Sequence, residues 1–268
     1  MNEYLVSIII PVYNCGKYIK KTIASVKKQS YTNWELIVVN DGSTDESLNE
    51  IKDGIKDIKG KSTLINLEKN HGVAIARNTA LENAKGDFIA YLDADDMWEK
   101  EKLKKQLDFM KKNNIIFSYT SYSRISEDEK FLKVVKAPNV TTYKDLLKNT
   151  IMLTSTIIID VRYIDKKMLQ MPNLTISEDT QTWLNILKTG IRAYGLDENL
   201  AEYRQRRGSA SSNKIKSTIG IWKVYRKYQL MGRIKSSYYT LLHIVYAIKK
   251  RLLLIDNIRK FTKNILEK

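Results

Sequence analysis

One cysteine in 268 residues, Cys15, leaves no partner for an internal disulfide and fits a reducing compartment. Two histidines, His71 and His243, lie far apart in the chain, which excludes a multi-histidine metal site. Three prolines and 11 glycines argue against long disordered or collagen-like tracts. No stretch reaches the ~18 uninterrupted apolar residues of a membrane-spanning helix. The longest candidate, 241–248, runs into Lys249-Lys250-Arg251. The start of the chain lacks the basic and long apolar regions of a secretory leader. The expected location is therefore cytoplasmic, at most peripheral on the inner face of the plasma membrane.

Acidic residues are scarce at one end only. Residues 214–268 carry 14 Lys+Arg against two acids, which is +12 of the chain's formal +16. Acidic chemistry must lie earlier. A nucleic-acid binder is excluded on this distribution: the excess is confined to the tail, and no aromatic base-stacking motif accompanies it.

Apolar and β-branched runs alternate with helical spacings. Val6–Ile10 reads as a buried strand stopped by Pro11, and Ile19, Ile23 and Val26 recur as one helix face. Trp34–Val39 is a second strand, followed by a helix through Leu48, Ile51 and Ile55 that Ser43 or Thr44 can cap. Leu64–Leu67, an Ala-rich helix over Val73–Ala84 closed by Gly86, and a strand over Phe88–Leu92 follow. A helix on Leu103, Leu107 and Met110 leads to a strand over Ile115–Ser121. Later, Met152–Ile159 reads as a strand, Glu178–Leu187 as a helix and Ile191–Leu196 as a strand. This alternation predicts an α/β protein with a mostly parallel sheet between helices, whose ligands sit beyond the carboxyl ends of the strands.

Those ends carry the chemistry. Asp93-Ala94-Asp95 can aim paired carboxylates into one cleft, hard oxygen ligands suited to Mg²⁺ or Mn²⁺; the plainer reading is an acidic loop with Asp96 capping the next helix. Asp41 can accept hydrogen bonds from a base or ribose, or form an Asx turn into a capped helix. Arg77 can approach a nucleotide or pair with a strand-end Asp. Glu178-Asp179 can supply a general base, or simply face a helix dipole. Arg204, Arg206 and Arg207 can grip a diphosphate, or form a solvated loop. Cys15 and His71 read as structural. Gly54…Gly60-Lys61-Ser62 has the wrong spacing for a phosphate loop, and no Gly-x-Gly-x-x-Gly follows the first strand.

Taken together, Ser7–Asn14, Val39–Asp45, Ala76-Arg77-Asn78 and Tyr91–Trp98 resemble the bacterial family 2 glycosyltransferases, closest to enzymes of capsule, teichuronic-acid and other cell-surface polysaccharide synthesis. The resemblance is strongest over residues 5–125 and looser through Ser177-Glu178-Asp179 and Tyr203–Ser211. It implies a GT-A fold and a metal-dependent, inverting transfer from a nucleotide-sugar, UDP-linked by analogy, to a saccharide or lipid-linked acceptor. Pro11, Tyr13, Asp41, Arg77 and Asp93 would form the nucleotide site. Asp95 would bind Mn²⁺ or Mg²⁺, with Asp93 acting through water, and Asp179 would be the catalytic base. Arg206 stands where related chains often carry a ligating histidine; always protonated, it would instead neutralise the leaving diphosphate, with Arg207. A sugar nucleotidyltransferase and a non-catalytic polysaccharide-binding or assembly protein are the alternatives. The expected organisation is a catalytic unit over 1–213, its nucleotide half about 1–125 and its acceptor half about 126–213. A basic helical extension follows over 214–268, either packed on the domain or lying on an anionic membrane surface.

Overall fold

A computed structural model describes residues 4–206 and 214–248. One ten-stranded sheet organises the chain. Strands β1 (Val6–Val12), β2 (Trp34–Asp41), β3 (Ser62–Leu67) and β4 (Phe88–Tyr91) run parallel in the order β3-β2-β1-β4. The sheet continues through β9 (Ile158–Asp160), which is antiparallel to β4 and to β6 (Phe117–Ser126). Next comes β10 (Ala193–Gln205), parallel to β6, with the short β5 (Met97–Trp98) antiparallel at its edge. Strands β7 (Phe131–Val135) and β8 (Val140–Thr141) attach antiparallel to β6 and β10.

Helices cover both faces, which is why β1 is a continuous apolar run rather than an alternating one. Ile8 and Ile10 point into a core with Ile19 and Ile23 of α1 (Gly16–Lys27), Ile51 of α2 (Ser47–Ile55), and Leu103 and Leu107 of α4 (Lys102–Lys112). Ile9 points the other way, toward Ala76 and Ala80 of α3 (Val73–Asn83), Leu146 of α5 (Tyr143–Lys148) and Trp183 of α6 (Glu178–Lys188).

Several local expectations change. Strand β1 passes through Pro11 to Val12. The β4 pairing ends at Ile9↔Tyr91, and Leu92 N–H donates to Ile9 O. By the two-residue period Pro11 faces the same side as Ile9, where β4 has already ended, so its missing N–H costs no ladder bond. Helix α2 is not capped by Ser43 or Thr44; it begins later, at Ser47. Gly86 does not close α3, which ends with Ala84 extended. A Cβ at Gly86 would lie 2.6 Å from Ser7 N, so close packing on β1 is what needs glycine there. Met152–Ile159 is not one strand: a 3₁₀ turn over Thr154–Thr156 precedes β9. The strand expected over Ile191–Leu196 starts at Ala193 and runs on to Gln205, with two register shifts against β6.

The basic extension is not a separate layer throughout. After α7 (Lys214–Lys223) and a π-helical turn (Val224–Tyr228), Ile221, Val224, Tyr225 and Met231 join the core around Trp183. Gln229, buried, donates to Gln181 Oε1 and Asn185 Oδ1 on α6 and accepts from Tyr143 OH. Core packing therefore crosses the expected boundary at residue 213. Residues 233–248 form a further helix. No described helix is long and apolar enough to cross a membrane.

Candidate active site

The carboxyl ends of β1, β2 and β4 open on one side of the sheet, as a parallel arrangement dictates. Two loops there are clipped together. Asn14, at φ +48°, donates its N–H to Ser43 Oγ (3.1 Å), and its side-chain oxygen accepts from Thr44 N–H (2.9 Å). Cys15 N–H donates to Ser47 Oγ (2.8 Å) and Gly16 N–H to Asp45 Oδ2 (3.0 Å). The start of α1 is thus capped by the second loop, a role for Asp45 that spacing alone does not reveal. Gly42, at φ +64°, lies so close to Lys69 that a Cβ would sit 2.6 Å from its Cα. Cys15 is buried, and burial pushes its thiol up to about 11.

Within this frame Tyr13 is exposed and Pro11 is buried. Asp41 is buried, and its two oxygens accept from His71 N–H and Gly72 N–H, both at 2.8 Å. It forms no Asx turn into α2; it holds the turn that starts α3, where Gly72 sits at φ +96°.

Arg77 does not face the opening. Buried on α3, its Nη2 donates to Asp93 Oδ1 (2.6 Å) and its Nη1 to Glu178 Oε1 (2.9 Å). One guanidinium therefore joins the end of β4 to the start of α6. Ser177 enters α6 in the left-handed region (φ +69°), a strained turn that aims the acidic pair. Burial, and then repulsion from Asp179, pushes Glu178 up to about 7 against the pull of Arg77. Asp179 is half-buried; its Oδ2 accepts from Thr154 Oγ1 (2.8 Å) and its Oδ1 from Thr180 N–H. Thr154 belongs to the 3₁₀ turn that sequence periodicity concealed.

Asp95 and Asp96 part company. Asp96 does not cap α4. It is fully buried, accepting from Ser155 Oγ (2.5 Å) and from Arg204 N–H (3.0 Å), so it ties β10 to the loop after β4. Burial and the neighbouring carboxylates push its pKa well up. Arg204 is a buried clamp rather than a phosphate grip, donating to Asp95 O, Glu127 O and Glu129 Oε1. Asp95 is paired with Arg206, whose Nε lies 2.5 Å from Asp95 Oδ2 and whose guanidinium stands 5.3 Å from the Tyr18 ring centroid. Arg207 lies outside the described residues.

Among the described residues no group of three or more His, Cys, Asp or Glu is placed to hold a metal. Asp93 and Asp95 offer two hard carboxylates, each now neutralised by an arginine. This donor set fits Mg²⁺ or Mn²⁺ of the kind that takes one or two carboxylates and completes its shell with water and phosphate.

A parallel half with carboxylates gathered at the strand ends, joined to a helix opening on Glu-Asp, is the architecture of a GT-A glycosyltransferase. Solved structures share the fold. Residues 1–349 of TarS from S. aureus, in complex with UDP-GlcNAc, match with a TM-score of 0.68 at 21% identity, over 88% of this chain and 70% of that one. The mannosyltransferase PcManGT from Pyrobaculum calidifontis, in complex with GDP-Man and Mn²⁺, matches with a TM-score of 0.69 at 18% identity, over 97% and 76%. At these identities the likeness is one of fold. The family model for glycosyl transferase family 2 matches residues 7–169, and the chain belongs to that family. A Bacillus subtilis (strain 168) protein, TuaG, named for teichuronic acid biosynthesis, is 43% identical over 92% of this chain and 98% of its own length. WfgD of Escherichia coli, named a UDP-Glc:alpha-D-GlcNAc-diphosphoundecaprenol beta-1,3-glucosyltransferase, is 38% identical over 93% and 96%. The protein is therefore a family 2 glycosyltransferase.

Proposed function

We propose that this enzyme moves a sugar from a UDP-sugar, with inversion at the anomeric carbon, to a hydroxyl of a lipid-linked saccharide at the inner face of the membrane. The observation that carries this reading is the double contact of Arg77. By touching Asp93 and Glu178 together, it brings the carboxylate end of β4 and the helix bearing Asp179 within one guanidinium span, which supports a single site built from both.

Asp179 takes the proton of the attacking hydroxyl, oriented by Thr154 through its other oxygen. Tyr13 packs on the base, above Pro11. Asp41 shapes that pocket chiefly through the 70–72 turn, keeping lone pairs for a base N–H. Asp95, with Asp93 acting through water, would hold Mn²⁺ or Mg²⁺, which when bound supplies positive charge to the departing diphosphate. Arg206 releases Asp95 and turns to the same phosphates, guanidinium geometry suiting both partners. Holding the two substrates in line supplies much of the rate advantage. The UDP preference and the acceptor class follow the relatives' names; the roles of Asp179 and Arg206 follow the family resemblance, and the contacts above are compatible with them.

The test is transfer itself. Purified enzyme, a panel of UDP-, GDP- and dTDP-sugars with Mn²⁺, and a lipid-diphosphate saccharide are combined, and the product's anomeric configuration is read by NMR. Inverted product from a UDP-sugar is expected. Retained configuration, or donor hydrolysis with no transfer to any such acceptor, overturns the reading.

A further inference from the structure

Among the described residues, 17 large apolar side chains are exposed, and 11 of them lie within 215–248. They fall in register. Ile234, Tyr238, Leu241, Val245 and Ile248 repeat at i, i+4, i+7, i+11 and i+14 along the helix over 233–248, each between 49% and 89% exposed. Ile215, Ile219 and Trp222 repeat at i, i+4 and i+7 on α7, with Leu230 exposed in the turn between the helices. The opposite faces are occupied: Ile221, Val224 and Tyr225 sit in the core, and Ser236 and Thr240 are buried. The exposed stripes are thus not core residues awaiting a fold. They are outward faces of helices already fastened to the domain.

The charge around them selects the occupant. Residues 215–248 contain Lys216, Lys223, Arg226, Lys227, Arg233 and Lys235 and no Asp or Glu, and Lys249-Lys250-Arg251 follows in sequence. A second copy of the chain would oppose one acid-free basic face with another, and like charges at close range suppress that pairing. An apolar stripe between lysines and arginines matches instead the boundary between acyl chains and anionic headgroups.

We infer that the two stripes on 215–248 form an interfacial docking face for an anionic bilayer. This deepens the proposed function, since a lipid-linked acceptor is presented at that surface, and it rests on that reading for its purpose only. Because Gln229 fastens this segment to α6, docking holds the Asp179 helix at a fixed attitude to the bilayer.

Trp222 makes the idea directly measurable, because Trp34, Trp98 and Trp183 are buried while Trp222 is 38% exposed. The full-length protein is mixed with vesicles of phosphatidylcholine alone or with about 30% phosphatidylglycerol. Partition should rise at least about tenfold with the anionic lipid and fall between about 0.1 and about 1 M salt, as screening shortens. Brominated acyl chains should quench Trp222, and Trp222→Phe should remove that signal while partition remains. The surface pair Ile234→Asp and Leu241→Asp should abolish partition while the UDP-dependent rise in Tm persists, which separates failure of docking from failure of the nucleotide reading. Equal partition into neutral and anionic vesicles, partition into neither, or a soluble dimer that the paired substitution dissociates would each overturn the inference.

Discussion

Asp179 and Glu178 are adjacent in sequence but face different surroundings. Asp179 is half-buried with one oxygen on Thr154, while Glu178 is sunk against Arg77. Asp179→Asn preserves shape and removes basicity, so turnover should fall roughly 10²–10⁴-fold while UDP still raises Tm. Steady-state kinetics beside a thermal shift check both halves. Glu178 carries a different signature. Its native pKa of about 7 lies above its ordinary 4.5, so between those values the native state keeps a proton that the unfolded chain releases. Stability from this group is therefore lost as pH rises through that window, and Glu178→Gln should flatten the slope. Urea midpoints at several pH values read it. Arg206 neutralises Asp95, so Arg206→His should raise the affinity for Mn²⁺ alone roughly tenfold, the equivalent of one charge-assisted hydrogen bond of about 1.5 kcal/mol. Titration calorimetry without nucleotide is the measurement; unchanged affinity would mean that Arg206 does not compete with the cation.

At the scale of elements, α4 holds an apparent misfit. Lys102 is fully buried, its Nζ has no hydrogen-bond partner among the described residues, and it stands 3.9 Å from the Trp98 ring centroid. Burial holds its pKa well below 10.5. Between that lowered value and 10.5 the unfolded chain holds a proton the native state gives up, so this group's penalty is greatest on the acid side of the window and shrinks as pH rises through it. Lys102→Met should gain about 1–3 kcal/mol at pH 7 and less at pH 10, read by chemical denaturation. The parallel half was legible because β1, β2 and β4 are buried on both faces and announce themselves as apolar runs. Strands β5 and β8, of two residues each, carry no such pattern, and β7, apolar at four of its five positions yet largely exposed, shows no alternation of buried and polar faces. The site followed the same division. Asp93, Asp95 and Asp179 stand where strand and helix ends predict. The pairing of Arg77 with Glu178, the capping by Asp45 and the orientation by Thr154 depend on long-range contacts that no local period encodes.

At the scale of the molecule, the catalytic core and the basic extension share side chains. A chain ending at Asn213 would lose Ile221, Val224, Tyr225 and Met231 from the core around Trp183. At about 1.5–3 kcal/mol for each large apolar side chain, that loss approaches the whole stability of a domain. Such a chain should show no cooperative melting transition in calorimetry, whereas one ending at Ile248 should keep it. The lone thiol offers a way to watch the intact molecule breathe. Cys15 lies under the clipped loops at the mouth of the cleft, and with its pKa at about 11 almost none of it is thiolate at neutral pH. An alkylating reagent must therefore wait for those loops to part. Its labelling rate becomes a clock for local opening, and a donor nucleotide that fastens the loops should slow the clock.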